Sequence, residues 1–234
     1  MSMSNKSIGA IIKKLNSKNF ENIFLQRLSE NVEYGIVWHK VRQYSPHKGR
    51  YYSEKRDRFY FFKDESDRYV GAVLIMDTLD DLHAFVKKEY RRHGYLTSAM
   101  QKVILPHLLK NKEKQRITID IDWLGEKNFR ASKKSALKNG FKQETEKEYY
   151  FYKKDITFKP SFEAETSNIT EERIHQLCDR MEKIAIEIRK IEDEFEISLG
   201  KTDMLKELRV FTEDMGNRVM MDDFFEMKRK TDNS

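Results

Sequence analysis

Cysteine is almost missing from this chain: Cys178 stands alone among 234 residues. A single thiol excludes an intramolecular disulfide framework and any cysteine-clustered zinc site. Proline occurs three times and glycine nine times, so each of these residues carries information where it does appear. No run of 18 apolar residues exists, which excludes a transmembrane helix. The opening stretch MSMSNKSIGAIIKKLNSKNF has an apolar core too short and too broken by lysine for a secretory signal. A soluble protein of the reducing cytoplasm is expected. Charged residues make up 36% and hydrophobic ones only 38%, yet 15 Phe and 11 Tyr weigh against intrinsic disorder.

The net charge of +6 is unevenly spread. Residues 1–160 hold 33 Lys/Arg against 20 Asp/Glu, whereas 161–234 hold 12 against 19. A break of this size at Pro160 reads as a boundary between a basic unit, 1–160, and an acidic one, 161–234. The basic unit is expected to attract polyanions such as phosphorylated cofactors, nucleic acid or acidic substrates. The plainer alternative is a lysine-rich solvated surface.

Periodicity in the first unit predicts short helices over 5–16 and 18–30, from Ile8, Ile11, Ile12 and Leu15 and then Phe20, Ile23, Phe24 and Leu28. Strand-like runs follow at 34–44, 58–63, 69–76 and 80–87, with turn signals at 45–49 and 63–67. A helix over 94–110, a strand over 116–123, a helix over 127–138 and a closing strand pair within 141–158 complete the pattern. The expected class is α/β (α+β), a mixed central sheet flanked by helices.

In the second unit Ile174, Leu177, Met181, Ile184, Ile188, Ile191 and Phe195 recur in alternating steps of three and four. That is an a/d heptad, introduced by Thr170 as N-cap and ended by Gly200, with a second helix expected from Lys201 through Leu205, Leu208, Met215 and Val219. A helical hairpin folded on its own domain and a coiled-coil arm that dimerises are the two readings. Regular spacing on an acidic segment favours the arm.

The stretch FVKKEYRRHGYLTSAM, 85–100, carries the most chemistry. An apolar strand ends near Val86, and a short loop opens through Gly94 into a helix. Amides of such a loop and first helical turn lack intrahelical partners, and the helix dipole adds partial positive charge. Glycine permits close backbone approach, and Arg91, Arg92 and His93 match the charge of a pyrophosphate. A basic turn before a surface helix can also do nothing.

Val86 to Leu96 resembles the acyl-CoA loop of the GNAT superfamily of N-acetyltransferases, which reads roughly V-x-P-E-Y-R-G-x-G-x-G. Arg91 and Gly94 fall on its R/Q-x-x-G-x-G/A signature, while Leu96 replaces the last small residue and Lys88 the usual proline. Ala131 to Phe141 is similar to the superfamily's late helix with its G-F ending, and Tyr69 to Val73 to the strand that precedes the loop strand. The resemblance spans about 30–155.

The resemblance implies an acetyl-CoA-dependent N-acetyltransferase in which an amine attacks the thioester directly. Two strands, here 80–87 and 116–123, would splay apart to admit pantetheine, pairing with backbone near Phe85 and Val86. The amides of Arg91, Arg92, His93, Gly94, Tyr95, Leu96 and Thr97 would hold the pyrophosphate, and Asn128 or Ser132 would bond the cofactor or relay a proton. The tyrosine that often supplies the acid is here Ala136, leaving Tyr149, Tyr150 and Tyr152 as further candidates. Asp80 matches a base position, His83 is a second choice, and Asp120 and Asp122 are expected to point together from a strand toward a cationic amine. No metal site is expected.

Lys40, Arg42, His47, Lys48, Arg50, Lys55, Arg56 and Arg58, interleaved with Tyr44, Tyr51 and Tyr52, suit either a nucleic-acid groove or an exposed hairpin. Two alternatives to the enzyme therefore stand: a degenerate fold that binds CoA or a partner without turnover, and an acetyltransferase directed at RNA such as aminoacyl-tRNA. The expected partners are acetyl-CoA, an amine acceptor and a second copy of the chain, with no membrane.

Overall fold

The computed structural model describes residues 4–38, 56–76, 81–157, 159, 161, 171–199, 207 and 210. The basic–aromatic stretch from Lys40 to Lys55, the candidate Asp80, Pro160, Thr170 and most of the expected second helix of the arm lie outside the described residues. The chain divides into two compact units, Met1–Glu165 and Thr166–Ser234.

The first unit is built on one eight-stranded sheet in the order β1-β2-β3-β4-β5-β6-β8-β7. Its strands are β1 (Ile23–Ser29), β2 (Val32–Trp38), β3 (Arg56–Lys63), β4 (Tyr69–Met76), β5 (Asp81–Val86), β6 (Lys114–Thr118), β7 (Lys142–Gln143) and β8 (Glu148–Tyr152). All neighbours are antiparallel except β5 and β6. The parallel pair needs a crossover, and the helical segment α2 supplies it. It comprises Tyr95–Ala99, a π-turn Met100–Ile104, and Leu105–Leu108. Helix α1 (Asn5–Asn16) precedes the sheet, and α3 (Ile121–Lys138) joins β6 to β7.

Aromatic alternation on β3 divides the core in two. Phe59 and Phe61 join Ile8, Ile12 and Leu15 of α1 on one face, while Tyr60 and Phe62 join Met100, Val103, Ile104 and Leu105 of α2 on the other. All four β3 rings are at most 1% exposed, and each contributes roughly 1.5–3 kcal/mol of burial. Between these layers β4 reads YVGAVLIM and is buried along nearly its whole length. That is why it appears in the sequence as a continuous apolar run. A Cβ on Gly71 would lie 2.2 Å from Phe62 Cζ and 2.6 Å from the Phe85 carbonyl oxygen, so this strand cannot carry a side chain there.

Two sequence expectations are corrected here. Residues 18–30 form no helix: Lys18 and Asn22 turn the chain with positive φ, and β1 follows. Ile23 belongs to the α1-side core and Leu28 to the α2-side core. Five residues apart they sit on opposite faces of a strand, and this spacing had imitated a helical stripe. The register also shifts between Arg27 and Ser29. The second correction concerns 116–123. Strand β6 ends at Thr118, because Asp120 caps α3 by accepting the Asp122 amide at 3.0 Å. The alternation of Ile119 and Ile121 with Asp120 and Asp122 is that of a cap and first turn, so these two carboxylates do not line a strand. Gly125, at φ 68° and ψ 154°, breaks α3 before its longer part, which covers the expected 127–138.

Proline has a visible effect in α2. Pro106 has no amide to give the Lys102 carbonyl, and its ring would crowd that group. The helix widens into the π-turn just before it, and the Lys102 carbonyl accepts the Ser161 amide at 2.9 Å instead.

The second unit contains helix α4 (Glu171–Leu199). Its best buried described position is Ala185, 8% exposed, whereas Ile184, Ile191 and Phe195 of the expected seam are 52%, 45% and 42% exposed. Among the described residues, no helix is long and apolar enough to cross a membrane.

Candidate functional site

The site begins where β5 leaves the sheet. The Lys87 amide still donates to the Val70 carbonyl at 3.0 Å, after which Lys88–Tyr90 make one 3-10 turn. The Arg91 side chain folds back, its Nε donating to the Val86 carbonyl at 3.1 Å, so it braces the neck of the loop. Arg92 and Gly94 then take positive φ, 69° and 88°. The Ser98 amide donates to Gly94 at 2.9 Å and starts α2. Among the described residues, the amides from Arg92 to Thr97 donate to no backbone carbonyl. These are the donors that a helix start and a turn leave over, and they share one junction. Apart from its own neighbours along the chain, no described atom lies within 4 Å of where a Gly94 Cβ would be, so the space beside it is open.

Side chains fix the junction from outside. Tyr95 donates its hydroxyl to Glu65 at 2.7 Å, tying the first turn of α2 to the β3–β4 turn. This hydrogen bond raises the phenol pKa and lowers that of the carboxyl. Tyr90 lies under two cations, Arg68 at 5.6 Å and Lys87 at 5.2 Å from its ring centre. The His93 and Tyr95 rings stack with centres 6.0 Å apart. A cavity of about 750 Å³ adjoins the same junction, lined in part by Glu65, His93, Gly94, Tyr95, Ser98 and Lys102.

Beside the loop, β5 and β6 meet at one register position only, Asp81 opposite Arg116. Across its other edge, β5 pairs with β4 all the way to Val86. Among the described residues, the β6-facing edge from His83 to Val86 is therefore without a strand partner, and the pairing of the two strands stops short of the loop.

The sequence-derived candidates fall in three places. Phe85, Val86 and the residues Arg91 to Thr97 are brought together at the strand end and junction. His83 lies on β5, its Nε2 within 2.9 Å of Asn5 Oδ1, and burial lowers its pKa despite the opposing charge of Asp81. Ser132 and Asn128 lie on α3. Ser132 is half-buried, while Asn128 is exposed and donates its amide to the Leu124 carbonyl at 3.0 Å. Ala136 is buried, 4% exposed, on the same helix. The Tyr149 hydroxyl is buried without a hydrogen-bond partner, Tyr150 reaches Glu148 at 3.4 Å, and Tyr152 donates to Glu144.

Sequence reasoning passed over Asp81, which is 1% exposed where the β5–β6 pairing stops. Its signal in the sequence is the pair of adjacent aspartates, Asp80 and Asp81, at a strand start. The start of α3 is filled by its own chain: Lys147 Nζ lies 2.8 Å from Asp120 and 3.6 Å from Asp122. The ammonium, together with the Asp122 amide, lowers the Asp120 pKa. Among the described residues no group of three or more His, Cys, Asp or Glu is placed to hold a metal ion. Comparison with family models, with curated proteins and with solved structures gives no match for this chain.

Proposed function

We propose that the chain is an acyl-CoA-dependent N-acyltransferase of the GNAT fold, moving an acetyl group from acetyl-CoA to a primary amine. One observation carries this reading: a glycine junction rich in uncommitted amides lies at the end of a strand whose pairing with its parallel neighbour stops short of that end. The junction suits a pyrophosphate, with the Arg92 guanidinium adding positive charge. The unpartnered edge of β5 suits the amide groups of pantetheine, which would pair with it as a strand does. The strand order around the parallel pair also agrees with the fold that the motifs at 69–73, 86–96 and 131–141 imply.

In the proposed reaction the amine nitrogen bonds to the thioester carbon and the carbon–sulfur bond breaks. A base removes one proton from the nitrogen, and the departing thiolate takes up one. Burial lowers the His83 pKa and so favours the neutral imidazole that can accept the first proton, and the count closes when the imidazolium returns it to the thiolate. Backbone donors beside the thioester carry the charge of the tetrahedral intermediate.

Titration calorimetry with acetyl-CoA tests the donor. Saturable binding is expected, and no heat at millimolar acetyl-CoA overturns the assignment. A thiol-release assay over a panel of amines then tests turnover. Binding without thiol release from any amine would leave a CoA-binding module in place of an enzyme.

For the second unit we propose that the exposed apolar line of α4, with Ile184, Ile191 and Phe195, is covered by a second copy of the arm in a homodimer.

A further inference from the structure

The β5–β6 ladder stops beside one side chain, Asp81. A parallel ladder running past Asp81 and Arg116 would offer the Thr118 amide a main-chain carbonyl of β5. The amide goes elsewhere: it donates to Asp81 Oδ1 at 2.8 Å. The same oxygen accepts the amide of Leu82 on β5 itself, at 3.0 Å. One carboxylate oxygen thus stands between the two strands in the place of a carbonyl. Asp81 Oδ2 is buried and, among the described residues, has no hydrogen-bond partner. Beyond this point the ladder with β5 stops, and the Ile119 amide donates to the Lys147 carbonyl at 2.8 Å.

We infer that Asp81 is a positioning residue that sets the apex of the acyl-donor slot, holding β5 and β6 together at one point while keeping them apart beyond it. A buried carboxyl oxygen without a hydrogen bond is an expensive by-product of joining two strands this way, since a main-chain carbonyl would do it without a second buried acceptor. The use of Asp81 here is geometric. The side chain extends the reach of β5 toward Thr118, so the β5 edge from His83 to Val86 has no strand beside it, and a strand-like ligand would meet a carbonyl at Val86 that already accepts the Arg91 Nε. This inference rests on the acyl-donor reading for the identity of that ligand, but the clamp itself does not.

The test separates the slot from the phosphate junction. Asp81→Asn keeps an oxygen for the Thr118 amide, whereas Asp81→Ala removes it. Titration with acetyl-CoA and with adenosine 3′,5′-bisphosphate, which reaches only the junction, reads both places. Asp81→Asn is expected to bind acetyl-CoA within about twofold of wild type and Asp81→Ala at least about tenfold more weakly, with the bisphosphate unchanged in both. Acetyl-CoA binding by Asp81→Ala at wild-type strength, or equal loss of both ligands, overturns the inference. Should Asp81→Ala fail to fold, Asp81→Ser, too short to reach Thr118, is read in its place. Hydrogen exchange at the Thr118 amide gives a readout without ligand. Faster exchange in the Ala variant but not in the Asn variant supports the clamp, and unchanged exchange overturns it. Wild type that binds neither ligand defeats the acyl-donor reading, and the exchange experiment then judges the clamp alone.

Discussion

Two helices start on either side of the β5–β6 pair, and they start differently. At α2 the junction is glycine, with the backbone in the left-handed region and a run of amides uncommitted. At α3 the cap is Asp120, whose carboxylate takes the Asp122 amide and pairs with Lys147. Both ends have the same leftover donors and the same sign of dipole. At α3 the chain's own carboxylate takes a leftover amide, whereas at α2 the nearby Glu65 carboxylate accepts the Tyr95 hydroxyl and leaves the amides free. The α3 start therefore belongs to folding, and the α2 start is open to a ligand that brings negative charge.

The contrast can be broken from either side. The largest effect is expected from Gly94→Val, which places a β-branched residue at φ 88° and a methyl pair in the open space. Acetyl-CoA affinity should fall by about 30-fold or more, read by calorimetry. Retained affinity would remove the junction from the site. Asp120→Ala should do the reverse, lowering Tm by several degrees while leaving acetyl-CoA affinity at the wild-type value. The lowered Asp120 pKa gives its sign with pH: its contribution is present above the ordinary carboxyl value of 3.8 and is lost as pH falls through the lowered one. An Asp120→Ala Tm curve parallel to wild type from pH 7 to pH 2 would contradict this.

In the arm, Ile184→Asp with Ile188→Asp should convert dimer to monomer in sedimentation without touching acetyl-CoA binding. Wild type sedimenting as a monomer at high micromolar concentration would end the dimer proposal. His83 gives a smaller effect. Its pKa is lowered by burial, so the unfolded chain binds a proton more readily and stability falls as pH drops below 6.5. His83→Gln should flatten that part of a urea-midpoint profile, and an unaltered slope would show that another group is responsible. Ser132→Ala is expected to change turnover by no more than about twofold, since no described residue hydrogen-bonds its hydroxyl.

What the sequence disclosed depended on how local the cause was. The run 69–76 was legible as β4 because burial on both faces leaves no polar position to confuse the period. The start of α2 was legible because a glycine after basic residues is a backbone signal. The stripe of Phe20, Ile23, Phe24 and Leu28 misled because a strand with two buried faces and a register shift offers apolar residues at steps a helix also uses. Asp120 and Asp122 misled for the opposite reason, since a cap beside isoleucines imitates alternation. Asp81 was illegible as a clamp because its partner is the amide of Thr118, and no pattern in one strand announces an acceptor needed by another.

Pro106 has a consequence for the order in which the chain is made. The carbonyl of Lys102 is synthesised long before Ser161, whose amide it receives. On the ribosome, the middle turn of α2 therefore emerges without the Ser161 amide that its Lys102 carbonyl will accept. It stays so until β6, α3, β7 and β8 have all followed. The stretch after β8 acts as a late fastener for an early helix. A chain cut short after Tyr152 would retain every strand of the sheet and still lack this closure.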